Sequence, residues 1–293
     1  MSARFLTVVL ERAFNMRDGF GREIDYMRIS VIDSCNLNCY YCNPCDNNEH
    51  CHALNILSVK EVLCIVRAAT RLGIKHFRLT GGEPLLHPQL DEMVLQIKKI
   101  PGVSSVSLTT NAVLLAQHAK WLKEAGIDSI NVSLDTIDAS EYERITKKPL
   151  LEEVKHGINA AIECGIRVKI NVVLTPQTDV VALTRYVAKK GTDIRFIEMM
   201  PVGEGHTNGV EPYKKVIGTL SKLYGEPCRI NTEKTKEINS GNDKRKIPDN
   251  GPAEYYIFPE LGIRVGLIQA IHGKFCDTCN RIRVTADGRL MPC

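Results

Sequence analysis

Tyr26-Met27-Arg28-Ile29-Ser30-Val31-Ile32 passes straight into Asp33-Ser34-Cys35-Asn36-Leu37-Asn38-Cys39-Tyr40-Tyr41-Cys42, and Val59 to Leu72 then carries apolar residues at helical spacing. A β-rich run, a loop loaded with thiols and an amphipathic helix make the first unit of a pattern that recurs. Lys75 to Thr80, Ser104 to Thr109, Ser129 to Leu134, Arg167 to Leu174 and Asp193 to Met199 are the further strand candidates. Pro88 to Lys99, Leu114 to Ala125, Glu152 to Cys164 and Asp179 to Lys190 read as helices between them. Gly73, Gly126, Gly165 and Gly191 follow helix ends, as left-handed C-terminal caps would. Strand-helix units of roughly thirty residues imply a parallel sheet with right-handed crossovers. Periodicity alone does not separate an open sheet from one curled into a barrel.

The texture changes after residue 200. Glu204 to Tyr213 is rich in Gly, Asn and Pro, Pro212 to Leu223 reads as one more helix, and Lys234 to Gly251 is a polar loop without periodicity. Tyr255 to Phe258, Ile263 to Ile268 and Ile282 to Thr285 read as short strands, so a small antiparallel subdomain is expected there.

With 293 residues there is room for a large core, and 44% hydrophobic against 25% charged residues is a globular rather than a disordered composition. A net charge of +4 is far from the dense basic face of a duplex-binding protein, although a few convergent guanidiniums suffice for a small polyanion. No apolar run is long enough to span a bilayer, and Arg4, Glu11, Arg12, Arg17 and Asp18 interrupt any signal-peptide core. A cytoplasmic location is therefore expected, and eleven cysteines in that compartment point to metal or cluster ligation rather than disulfides.

Cys35, Cys39 and Cys42 form C-x3-C-x2-C on the loop at the C-terminal end of the first strand, where parallel α/β folds place chemistry. Three thiolates on such a loop can ligate three irons of a cubane cluster and leave the fourth open. A zinc knuckle drawing on Cys45 or Cys51, or incidental buried cysteines, are the alternatives. Gly81-Gly82-Glu83-Pro84 follows the second strand. Its glycines let the backbone approach a ligand and Glu83 can receive an ammonium, or the run is simply a tight turn. Cys276, Cys279 and Cys293 form C-x2-C-x13-C, with Arg281 and Arg283 close by. They read as a second three-cysteine cluster facing an anion, or as a structural zinc site completed by Cys228 or another ligand. Cys64, Cys164 and Cys228 read as ordinary thiols, and His50, His52 and His272 are assigned no metal role.

The first triad, with the aromatic Tyr41 before its last cysteine, and the Gly81 to Pro84 run together resemble the signature of the radical S-adenosylmethionine (radical SAM) enzymes. With the second triad, the stretch from Asp25 to Cys293 is similar to the GTP 3',8-cyclases, which open molybdenum cofactor biosynthesis. That resemblance implies an α/β fold, an incomplete (β/α)6 TIM-type barrel with an N-terminal extension over residues 1–211. A small C-terminal α+β cluster-binding region is expected over residues 212–293. It implies two 4Fe-4S clusters, held by Cys35, Cys39 and Cys42 and by Cys276, Cys279 and Cys293. S-adenosylmethionine contacts carry over to Tyr41, Gly82, Glu83, Ser133 and Met200. GTP contacts carry over to Arg28, Arg78, Thr109, Lys169, Arg281, Ile282 and Arg283.

The implied reaction is conversion of GTP to 3',8-cyclo-7,8-dihydro-GTP, which a cyclic pyranopterin monophosphate synthase then uses. The resemblance also implies an electron donor, admits a homodimer, and gives no role to nucleic acid or membrane. A peptide-modifying maturase is the alternative within the superfamily, and a zinc-stabilised binding protein the alternative outside it. The chain departs from the family at Ala112, where Thr-Thr-Asn is usually followed by Gly, and at His76, where a basic residue is common. The family also continues past the position of Cys293 to a Gly-Gly terminus that reaches the active site, so the chain as given is expected to lack that tail.

Overall fold

Polar and apolar residues alternate along the central strands, and in the computed structural model that alternation decides which way the sheet faces. Residues 16–42, 55–200, 212–230, 251–273 and 275–292 are described. Strand β1 (Tyr26–Ser30) leads to helix α1 (Val59–Arg71), and then follow β2 (His76–Thr80), α2 (Leu90–Lys98), β3 (Ser105–Thr110), α3 (Leu115–Glu124) and β4 (Ser129–Ser133). The fourth crossover holds two helices, α4 (Ala139–Thr146) and α5 (Leu151–Glu163), before β5 (Val168–Leu174), α6 (Val180–Lys189) and β6 (Asp193–Glu198). The chain continues through α7 (Pro212–Tyr224), β7 (Cys228–Ile230), β8 (Glu254–Ile257), β9 (Arg264–Ile268), β10 (Arg281–Val284) and β11 (Leu290–Pro292).

One sheet holds all these strands in the order β11-β10-β1-β2-β3-β4-β5-β6-β9-β8-β7. Pairing is parallel from β10 across to β9 and antiparallel outside them. The antiparallel pairs expected near the C-terminus are present, but they are mounted on the two edges of the barrel sheet rather than set apart. A six-stranded parallel sheet leaves two rows of unpaired backbone groups, and β9 and β10 cover them. Inward residues of β1 to β6, β9 and β10 line one cavity, so the sheet is curled.

The outward residues Ile29, Phe77, Leu79, Val106, Leu108, Ile130, Val132, Val172, Ile194 and Phe196 are fully buried beneath the helices. They meet Val62 and Val66 of α1, Met93 and Ile97 of α2, Leu115 and Leu122 of α3, Val154 and Ile158 of α5, and Leu183 and Val187 of α6. At about 1.5–3 kcal/mol for each large side chain buried, this outer layer is the core, and the lumen is left for polar residues. Ser58 and Glu61 close a capping box at the start of α1, and Asp138 and Asp179 cap α4 and α6. Gly73, Gly126, Gly165 and Gly191 have φ of 90°, 89°, 68° and 63°, as terminal caps require.

Gly157 of α5 crosses α3 so closely that a Cβ there would lie 2.4 Å from the Ala112 carbonyl oxygen, whereas a Cβ on Gly218 of α7 meets nothing within 4 Å. Alanine exceeds glycine by about 1 kcal/mol in a helix interior, but forced overlap with backbone costs about 1–3 kcal/mol. Urea denaturation is therefore expected to give a higher midpoint for Gly218→Ala and a lower one for Gly157→Ala. Equal shifts in the same direction would show that the crossing is not tight.

Candidate active site

The first cysteine loop leaves β1 and is held from three sides by backbone. Gly82 N donates to Ile32 O at 2.8 Å and Glu83 N to Ser34 O at 2.8 Å. A Cβ on Gly81 would sit 2.1 Å from Ile32 O, and one on Gly82 would sit 2.1 Å from Ser34 O. Both glycines are thus required by contact with the cysteine loop itself. The buried Glu83 carboxylate accepts from Leu85 N at 3.0 Å, Thr110 Oγ1 at 2.7 Å and Asn111 N at 2.7 Å, which ties the loops after β2 and β3 together. On the other side Asn38 N donates to Thr146 O at 3.0 Å and Tyr40 N to Ile145 O at 3.1 Å, so the cysteine loop satisfies carbonyls at the end of α4.

Cys35 Sγ receives Leu37 N at 3.5 Å and Asn111 Nδ2 at 3.8 Å, and Cys42 N turns back to Cys39 O at 3.0 Å. Burial raises all three thiols. Cys39 is pushed up to about 12, with the Asp135, Cys42 and Cys35 charges adding to its desolvation. Three such groups become thiolates together only when cations neutralise them, which suits an iron cluster. Among the described residues no three Cys, His, Asp or Glu side chains converge as a single metal ion would need. Asn111 precedes Ala112, which holds φ 65°, its N–H taken by Thr110 Oγ1 at 2.9 Å.

The Tyr41 hydroxyl donates to Asp135, which also accepts Val173 N at 2.7 Å; burial raises the Asp135 carboxyl to about 6 against these two donors. Ser133 ends β4 and Met200 follows β6, both exposed. Because the strands are parallel, these residues, Gly82 and the cysteine loop share the C-terminal end of the barrel.

Below that end lies a cavity of about 570 Å3. Arg28, Arg78, Thr109, Lys169, Arg281 and Arg283 all line it, as do Arg167 and Arg195, which the motif reading missed. Ile282 differs from its neighbours: alternation along β10 turns it outward, where it packs against the apolar core. The signal for Arg195 was the same alternation, which places every second strand residue in the lumen. The guanidiniums are aimed by neutral groups, Arg78 by Ser107 Oγ at 3.0 Å and Arg195 by Asn171 Oδ1 at 2.9 Å. Asp128 is the lining carboxylate among the described residues, and it is committed to Lys98 at 2.9 Å and Val106 N at 2.7 Å. His76 bonds Ser105 Oγ at 2.8 Å, and burial lowers its basicity, so it adds no charge at neutral pH.

Arg28 is in register with Arg78 on one side and Arg283 on the other. Burial lowers its pKa to about 10, and Arg78, Arg281 and Arg283 push the same way. Lys169, Arg195 and Arg281 are almost wholly buried, and Arg28 Nε, Arg195 Nη2 and Arg281 Nε have no hydrogen-bond partner among the described residues. Clustered like charges with open donors favour an anion in the lumen.

Cys276 and Cys279 occupy a 3-10 turn just before β10, with Cys279 N bonded to Cys276 O at 3.2 Å. Since β10 runs parallel to β1, this turn lies at the N-terminal end of the barrel, opposite the first triad. Cys293 lies outside the described residues, as do Cys45, Cys51, His50 and His52. Pro292 pairs with Ile282, so the β10–β11 hairpin returns the chain to the foot of β10. The described cysteines, Cys64, Cys164 and Cys228 included, form no disulfide. His272 contacts Glu198 and serves the β9 loop.

Residues 29–183 match the Radical SAM superfamily and residues 192–293 match Molybdenum Cofactor Synthesis C. The chain is 37% identical to a GTP 3',8-cyclase of Clostridium perfringens over 95% of its own length and 83% of the relative's. It is 38% identical to that of Pelotomaculum thermopropionicum over the same shares. Among solved structures, Streptococcus suis SuiB bound to S-adenosylmethionine superposes with TM-score 0.65 at 14% identity, over 92% of this chain and 60% of that one. Native anSMEcpe with bound AdoMet gives TM-score 0.61 at 18% identity, over 92% and 74%. At these identities the two structures bear on the fold alone.

The like-charge register makes Arg28→Gln informative without any knowledge of the ligand. Losing one partly buried charge is expected to raise the melting temperature of the ligand-free protein by about 2–4 °C, the equivalent of ~1 kcal/mol at this size. Binding of inorganic triphosphate, followed by calorimetry, should weaken by about tenfold or more. A lower melting temperature with unchanged binding would rule out the anion site.

Proposed function

This chain belongs to the radical SAM superfamily and, within it, to the GTP 3',8-cyclases, and from that premise we propose that its two cysteine groups serve one reaction on GTP held between them. The product is 3',8-cyclo-7,8-dihydro-GTP, the first intermediate of molybdenum cofactor biosynthesis. The observation that carries the reading is the cation-lined lumen, with one cysteine turn at each end.

Cys35, Cys39 and Cys42 hold the first 4Fe-4S cluster, and Cys276, Cys279 and Cys293 hold the second. With S-adenosylmethionine bound beside it, the first cluster would supply a 5'-deoxyadenosyl radical able to take the C3' hydrogen of GTP; joining C3' to guanine C8 would leave a ring radical that takes one electron from the separate donor and one proton to complete the dihydro product. Tyr41, Gly82, Glu83, Ser133 and Met200 are the positions proposed to receive S-adenosylmethionine. For Glu83, three protein donors already occupy the carboxylate, so its main service is to brace the loop that meets the methionyl end.

Arg28, Arg78, Lys169, Arg281 and Arg283 take the triphosphate, and Thr109 offers a hydroxyl beside them. A triphosphate carries enough negative charge to relieve the repulsion among these cations, and bidentate guanidinium contacts fix its orientation. Ile282 serves through its place in β10, holding Arg281 and Arg283 on one face. Strand-borne donors keep the nucleotide rigid, and the walls exclude solvent that would quench a radical. Residues 1–211 carry the first cluster and most of the lumen, and residues 212–293 bring the second cluster and the last two arginines. The product passes to a cyclic pyranopterin monophosphate synthase, electrons come from a separate donor, and the enzyme works in the cytoplasm, with a homodimer as its candidate assembly. Among the described residues no helix is long and apolar enough to cross a membrane.

Anaerobic reconstitution followed by S-adenosylmethionine, dithionite and either GTP or ATP tests the reading directly. 5'-Deoxyadenosine is expected to form with GTP and not with ATP; formation independent of GTP counts against a cyclase. Arg281→Ala and Arg283→Ala should each weaken GTP binding by about tenfold, the worth of one charge-assisted contact, with the first cluster's absorbance unchanged. Unaltered GTP affinity in both variants would remove these arginines from the site.

A further inference from the structure

Nothing in the functional reading uses the N-terminal turn at residues 16–24, yet it reaches the second cysteine pair. Ile24 N donates to Met16 O at 2.8 Å, Arg17 bridges Glu23, and Gly21, with φ 78°, allows the chain to reverse. Asp18 organises the bend: its carboxylate accepts Phe20 N at 2.9 Å and Arg22 N at 3.0 Å. The same carboxylate grips the Arg22 side chain through Nε at 2.6 Å and Nη2 at 2.5 Å. The Phe20 ring lies 5.5 Å from the guanidinium carbon. With two of its faces fixed in this way, Arg22 directs Nη1 at the carbonyl oxygen of Cys276.

A second tie runs parallel to the first. Asn280 Nδ2 donates to Asp25 Oδ1 at 2.6 Å, and Tyr26 N to Asn280 O at 3.2 Å. The cysteine turn is therefore bracketed by the segment that leads into β1, a separation of 254 residues along the chain between Arg22 and Cys276. Bonded to the Cys276 carbonyl, the Arg22 cation stands beside the turn that carries both sulfurs.

We propose that Arg22, oriented by Asp18, is a positioning residue for the second cluster: it clamps the Cys276–Cys279 turn by its carbonyl and sets a positive charge beside the cluster. This inference rests on the assignment of Cys276, Cys279 and Cys293 as cluster ligands. Two consequences follow from the chemistry. The clamp pre-shapes the turn, so iron is retained more firmly. The cation favours the more negatively charged, reduced state, so it raises the reduction potential.

The test uses the full chain with Cys35→Ser, Cys39→Ser and Cys42→Ser, so that iron, sulfide and electron paramagnetic resonance signals report the second cluster alone. On this background Arg22→Gln is expected to lose iron to a chelator several-fold faster and to have a more negative midpoint potential. Arg22→Lys should recover part of the potential, through its charge, but not the retention, because an ammonium lacks the fork that spans Asp18 and the carbonyl. Asp18→Asn, which leaves Arg22 in place but unclamped, should lose iron faster and provides the same reading if Arg22→Gln does not fold. Unchanged iron release and potential in Arg22→Gln, or in Asp18→Asn where that variant stands in, would overturn the inference and leave the cluster assignment standing. Absence of iron from the parent background would overturn both.

Discussion

Arg28 in register between Arg78 and Arg283 is the constraint around which the molecule is arranged. Adjacent guanidiniums at strand spacing repel, and partial burial amplifies the repulsion because water screens it less. A sheet curled over such residues gains nothing from its interior and has to be held together from outside. That explains where the apolar side chains go: into the layer between strands and helices, leaving Ser107, Asn131 and Asn171 to share the lumen with the cations. An ordinary α/β barrel fills its centre with branched apolar residues. Here the centre is kept polar and open, and the layer between strands and helices carries the burial that an apolar centre would otherwise supply.

The same constraint separates the two cysteine turns. Parallel strands put every C-terminal end on one side, so the loop after β1 and the loops after β2 and β3 meet there through Glu83 and Asn111. β10 joins β1 in parallel, so the turn that precedes it falls at the opposite end. Topology alone therefore sets two thiol-bearing turns on either side of the charged lumen, a strand length apart. For the five residues of β1, at about 3.3 Å per residue, that is roughly 16 Å.

How much of this could be read in the chain depends on the range of the interaction concerned. The six central strands and the glycine caps follow from local patterning, and the structure shifts their ends by a residue or two. α4 escaped because its eight residues are too few to show a period, and its worth lies in a distant contact, the carbonyls of Ile145 and Thr146 that receive the cysteine loop. β9 and β10 look like isolated strands until their partners, β6 and β1, are known. Gly81 and Gly82 carry a mark of close approach in any sequence, but only coordinates distinguish approach to a ligand from approach to Ile32 and Ser34. Arg195 was in plain view as an alternate residue of β6, and the same alternation sends Ile282 away from the lumen. Strand parity, applied to every strand, would have found the first and moved the second.

Ala112 shows how such a network absorbs a strained residue. A left-handed alanine costs roughly 1–2 kcal/mol relative to a relaxed conformation, which is a sizeable share of a domain's net stability. It sits at φ 65°, fully buried, with its N–H bonded to Thr110 Oγ1, the same hydroxyl that donates to Glu83. Glu83 in turn receives Asn111 N, and the Asn111 side chain reaches Cys35 Sγ. The strained residue is thus pinned on its N-terminal side by the hydrogen bonds that fix the cysteine loop, and on its C-terminal side by Gly157, which leaves room for its carbonyl oxygen. Relaxing Ala112 would mean breaking several of these contacts together, each comparable in worth to the strain. Where glycine would leave the bend soft, alanine is tolerated because both neighbours over-determine it, and the geometry passed on to Cys35 is kept.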